Sequence, residues 1–171
     1  MKNIFFLISI FISLSVTPQS TTPKSTIKQV ISDVIRKWHK AAADADFDRY
    51  YSFMADDAIF IGTDPTENWS ISEFKAYSKP YFDRGKAWTF GTLERNIYIL
   101  QKKNIAWFDE LLDTQMGICR GSGIMERTND GWKVKHYVLS LTIPNENVTE
   151  ITKIKEAFDT KIIKELRNVK N

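Results

Sequence analysis

Two adjacent carboxylates, Asp109 and Glu110, follow the apolar run 105–108. That context reads as a β-strand, and neighbouring strand residues point to opposite faces. One of the pair is therefore expected to face inward. A carboxylate partly withdrawn from water has a raised pKa and suits general-base work. The competing reading is an ion pair, because buried charges come paired. Arg120, expected on the next strand, is the natural cation. Arg120 sits between Cys119 and Gly121, where it could instead clamp a ligand carboxylate. Gly121 and Gly123 either leave room for a ligand or a bulky side chain or mark a bulge that curves the sheet.

Other residues join this list. In the stretch 132–138, Trp132, Val134, His136 and Val138 alternate with Lys133 and Lys135, which predicts that His136 faces inward. An inward histidine can move protons, though a lone core histidine is more often only hydrogen-bonded. Ser122 and Tyr137 could orient a substrate. Asp64 and Trp69 flank a turn; Trp69 could stack on a flat ligand, while Asp64-Pro65 is equally ordinary turn chemistry. Five tryptophans, among them Trp38, Trp69 and Trp107, suggest an aromatic-lined pocket or a dimer interface. His39 and His136 do not form a metal-ligand spacing. Cys119 is the only cysteine, so it can form neither an intrachain disulfide nor a Cys-rich site. Phosphate-loop, dinucleotide and HExxH motifs are absent. No metal and no cofactor is expected.

The elements that must position these residues are legible in outline. Ile27, Val30, Ile31, Val34, Ile35 and Trp38 share one face of a helix, with Ser25 or Thr26 as its cap and Asp44 and Asp46 at its end. A short helix follows from Asp46, then a strand over 58–61. Residues 62–69 are turn chemistry. Ser70 and Glu73 form a capping box for a third helix bearing Phe74, Tyr77, Tyr81 and Phe82. Pro80 is expected to interrupt it, and Gly85 to cap it. Four strands follow, over 88–100, 105–113, 115–128 and 132–143. Asp130-Gly131 turns between the last two. Short connections imply an antiparallel, curved sheet. Residues 149–169 form an amphipathic helix.

Three helices, a strand and a run of long antiparallel strands is the order of the nuclear transport factor 2 fold. The segments at 60–69, 106–112, 119–123 and 131–135 sharpen the match. They resemble a SnoaL-like branch of that superfamily, which also holds ketosteroid isomerases and limonene-epoxide hydrolases. The resemblance spans residues 27–144. It implies an α+β, cone-shaped fold, with N-terminal helices packed on a curved antiparallel sheet and a pocket at the wide end. It implies no particular reaction, because one fold hosts many functions. The superfamily often dimerises through the open face of its sheet, so a homodimer is expected. The helix at 149–169 lies outside the resemblance.

Two functions follow. The chain could be a pocket protein binding a small apolar or amphipathic molecule. Alternatively it is an isomerase, cyclase or hydrolase using Asp109 or Glu110 as base. An association domain is a third possibility. A net charge of +3, spread along the chain, argues against nucleic acid as a partner. Lys2 is the only charge in the first 23 residues, and an apolar run over 4–16 follows it. That layout reads residues 1–20 as a secretory signal peptide. The run falls short of the roughly 20 residues that span a bilayer, so no stable membrane span is expected. The protein is expected to be periplasmic or extracellular. N-terminal sequencing of the mature protein should give a start after residue 15 to 20; intact Met1 on a cytoplasmic protein would refute export.

Overall fold

A computed structural model of the chain describes residues 23–169 apart from 101 and 103. Residues 1–20, which the sequence reads as a signal peptide, lie outside the described residues. Helix α1 (Lys24–Ala43) begins ahead of both Ser25 and Thr26, with Pro23 at its N-cap. Its apolar stripe buries Ile27, Ile31, Ile35 and Trp38. Asp44 ends the helix, and Ala45 turns the chain at a positive φ of 54°. Asp46 then caps α2 (Phe47–Ser52), accepting from the Arg49 amide. This places Tyr50 and Tyr51 in the core.

Strand β1 (Met54–Ile61) starts four residues earlier than the sequence suggests. A short strand β2 (Asn68–Ser70) folds back on it, pairing Trp69 with Phe60. The Ser70–Glu73 capping box is present at the head of α3 (Ile71–Asp83). Pro80 lies inside α3 without stopping it. Arg84 is the C-cap, and Gly85 follows at φ +71°, a left-handed step that favours glycine.

The remaining strands are β3 (Phe90–Leu100), β4 (Ile105–Thr114), β5 (Gly117–Thr128) and β6 (Gly131–Leu141). The sheet order is β2-β1-β6-β5-β4-β3. Among the described strands, only the β1–β6 pair is parallel. A 3-10 turn, Asn145–Asn147, leads into α4 (Val148–Val169). Helices α1, α2 and α3 pack on the inner face. The outer face of β3, β4 and β5 presents Tyr98, Leu100, Trp107, Ile118 and Ile124 to solvent. None of the residues of α4 is buried. Among the described residues, no helix is long and apolar enough to cross a membrane.

One irregularity decides which side chains enter the core. Ile124 pairs with His136, but Met125 pairs with Val134, so Lys135 is an extra residue on β6. Such a bulge shifts the alternation by one. Trp132 and Val134 face inward before it, and Tyr137 and Leu139 after it. His136 and Val138 consequently turn outward, against simple alternation. The side chain of Lys135 is held by Asp57 and Glu126.

Candidate functional site

Strand β4 sends Ala106, Phe108, Glu110 and Leu112 to the inner face. Glu110 is only 1% exposed. A lone carboxylate there would cost several kcal/mol, but four donor atoms meet it. Its Oε1 accepts from the Tyr137 hydroxyl at 2.9 Å and lies 2.8 Å from His39 Nε2. Its Oε2 accepts from Arg95 Nε at 2.9 Å and Nη2 at 2.7 Å. Arg95 stands directly opposite in β3. Its Nη1 continues to the Ser32 carbonyl, and its Nη2 to Thr92. Burial pushes the Glu110 carboxyl up, but His39 and then Arg95 outweigh it and hold it below its ordinary value of 4.5. Burial, then the charge of Glu110, pushes the Tyr137 hydroxyl well above its ordinary range.

Gly121, facing Glu110 across β4–β5, makes this arrangement possible. A Cβ there would collide with the Tyr137 hydroxyl and sit 3.0 Å from Glu110 Cγ. A Cβ on Gly123 would meet the Phe108 ring at 2.8 Å. The two glycines therefore make room for bulky side chains and not for a ligand.

A general base needs a lone pair within reach of a substrate proton. Both Glu110 oxygens are occupied, the group is held ionised, and it lines no described cavity. Asp109 faces outward, where it accepts from Asn96 at 3.1 Å. Neither carboxylate lines the aromatic cavity or the depression beside α1 described below. The expected pairing with Arg120 does not form. Arg120 lies opposite Leu111 on the outer face, exposed, and Arg95 takes its place.

The structure disperses the other candidates. Ser122 is exposed on the outer face, and His136 turns the same way. Trp107 is 46% exposed and stacks on Tyr98. Trp38 is core, stacked with His39 and Tyr50. Asp64 holds its own turn, accepting from the Thr66 amide at 2.8 Å. Tyr137 belongs to the Glu110 network. Trp69 alone of the predicted set lines the aromatic cavity.

That cavity measures about 220 Å³ and lies between α3, the β1–β2 turn, the segment before β3 and the β4–β5 turn. Phe60 and Phe74 are its buried floor, 4.0 Å apart and nearly parallel. Trp69 stacks on Phe74 at 5.5 Å and on Tyr77 at 4.4 Å. Tyr81, Trp88 and Phe90 complete the walls. Hydrogen bonding with Tyr81, then burial, then the charges of Tyr81 and Glu67, pushes Tyr77 up to about 12.

Glu67 and Gln115 are the strongly polar lining side chains. Sequence reasoning missed Glu67, Tyr77 and Tyr81 as site residues. The available signal was the i,i+4 tyrosine pair beside Phe74 on the apolar stripe of α3.

A larger depression of about 430 Å³ lies at the other end of the strands, beside the first turns of α1. Its charged lining is mixed, Arg127, Asp130 and Lys133, and Lys133 already donates to the Ser52 carbonyl. The aromatic cavity is the more discriminating environment.

A family model for the SnoaL-like domain matches residues 31–144. No curated protein matches the chain. Solved structures share the fold. An NTF2-like protein of unknown function from Pseudomonas putida KT2440 aligns with TM-score 0.60 and 16% identity, covering 72% of this chain and 92% of that one. A proposed dehydratase of the NTF2-like family from Streptomyces avermitilis aligns with TM-score 0.60 and 14% identity, covering 71% and 100%. The association domain of C. elegans CaMKII aligns with TM-score 0.56 and 18% identity, covering 69% and 98%.

The network makes a directional prediction. Arg95→Met strands a buried charge and should cost about 3–5 kcal/mol. Arg120→Met should change stability by less than about 0.5 kcal/mol. Folding lowers the Glu110 pKa, so its contribution is complete above the ordinary value of 4.5 and is lost as pH falls through the folded value. Urea melts of wild type should weaken on acidification through that window. In Arg95→Met the slope should shrink or reverse. A wild-type-like melt for Arg95→Met would show that the guanidinium does not carry the carboxylate.

Proposed function

The chain belongs to the SnoaL-like domain family, and from that premise we propose that it is an exported pocket protein. It binds a small apolar or amphipathic molecule without transforming it. The carrying observation is the separation of the aromatic cavity from the carboxylates. The cavity walls are rings, while Glu110 is saturated by hydrogen bonds and Asp109 lies on the opposite face. Its volume is below the roughly 300–1,000 Å³ of drug-sized sites, which suits a small, compact ligand.

Ala87 lines the cavity and is partly exposed, so a larger side chain there fills the space without disturbing the core. Toluene, as a small neutral aromatic probe, should bind the purified chain in a calorimetric titration. Ala87→Phe should weaken that binding at least about tenfold. Equal binding by the variant, or none by wild type, would refute the pocket reading.

The outer sheet face supports a homodimer. It carries five exposed apolar side chains and charges of both signs, Asp109 and Arg120. A two-fold interface must be self-complementary, and a face bearing both signs can meet its own copy. The association-domain neighbour from C. elegans shares the fold. Sedimentation at micromolar concentration should show a dimer, and Ile118→Asp should shift it to monomer. A wild-type monomer would remove this half of the proposal.

A further inference from the structure

The aromatic cavity has a charge of one sign. Of its lining residues, Glu67 is the one carboxylate, and no Lys, Arg or His lines it. The β1–β2 turn is built to hold that carboxylate in place. The Gly62 amide donates to the Glu67 carbonyl at 3.0 Å, and the Glu67 amide donates to the Asp64 carbonyl at 3.0 Å. The Asp64 amide donates to Glu67 Oε2 at 3.1 Å. The carboxylate folds back over Gly62 into the space that a Cβ there would take. Among the described residues Glu67 forms no ion pair, and Oε1 has no hydrogen-bond donor. Arg84 lies 4.9 Å from the Tyr81 ring centre without lining the cavity.

We propose that the ligand of this cavity is an organic cation, an ammonium group on a small apolar or aromatic body. The inference rests on the pocket-binding reading and narrows it. Any occupant displaces water from Glu67. A neutral one leaves the carboxylate desolvated without a partner, and an anion adds repulsion. A cation reverses both terms. Trp69 and Tyr77 cover one face of each other, and the remaining aromatic lining of the cavity offers the electron-rich surface that organic cations favour. An N–H on the ligand would find Oε1 available, and a quaternary ammonium would gain the charge without that hydrogen bond.

The test compares three probes of similar shape on the full chain by calorimetric titration: benzyltrimethylammonium, its neutral carbon isostere neopentylbenzene, and phenylacetate. The cation should bind at least about tenfold more tightly than the isostere, and phenylacetate should bind most weakly. Glu67→Gln keeps an acceptor for the Asp64 amide and removes the charge. It should erase the cation's advantage while leaving neopentylbenzene within about twofold. Two results would overturn the proposal and leave pocket binding intact. One is the isostere binding as tightly as the cation. The other is Glu67→Gln leaving the cation's affinity unchanged. Failure of all three probes would overturn both readings together.

Discussion

A single negative charge at the centre of the core constrains most of this molecule. Glu110 cannot be accommodated there unless its donors arrive from fixed directions, and they come from three separate elements: His39 from α1, Arg95 from β3 and Tyr137 from β6. A buried ion pair is weak evidence for net stability, because its desolvation cost can match its Coulombic gain. Its geometry is nonetheless demanding. The network fixes the rotation of α1 above the sheet and the register of β3 against β4. It also needs a glycine at 121, where the Tyr137 ring crosses β5. The bulge at Lys135 serves the same end, since without it Tyr137 would face solvent.

The position of the cavity follows from how this interior is filled. Trp38, Tyr50, Phe108 and Tyr137 occupy the space beneath the helices and are essentially inaccessible. What stays open lies towards α3 and the β4–β5 turn, with Phe60 and Phe90 standing between it and the network. The partition is chemical as well as spatial. The saturated carboxylate belongs to the core, and the aromatic surface with Glu67 belongs to the cavity. The four donors around Glu110 fill its lone-pair sites, so the buried acid is part of the scaffold.

Much of the fold was legible in the sequence because it rests on local rules. The α1 stripe, the Ser70–Glu73 capping box and the long strands each depend on spacing within a dozen residues. Alternation correctly separates Asp109 from Glu110, since β4 is regular. It fails for His136 because a bulge is not visible in a pattern of apolar and charged residues. The cation partnering Glu110 was missed for a related reason. β4 has two neighbours, and spacing along the chain does not say whether β3 or β5 supplies the charge. Gly121 and Gly123 admitted a bulge or a close approach, and only the positions of Tyr137 and Phe108 decide between them. The cavity was least legible, since it is assembled from five segments that run from Phe60 to Leu139 in the chain.

Asp109 and Glu110 show how far one dipeptide can be divided by a sheet. Their chemistry is nearly the same, yet the pleat sends one into a dry network and the other to a surface lined by Tyr98, Trp107 and Ile124. On that surface a carboxylate keeps its water, and its Asn96 contact is a modest one. A face so rich in exposed rings and β-branched side chains is costly to leave in water. Asp109 and Arg120 set charges of both signs among those side chains. The pleat thus ties one carboxylate into the core, where it orders the fold, and leaves its neighbour on the surface with a single Asn96 contact.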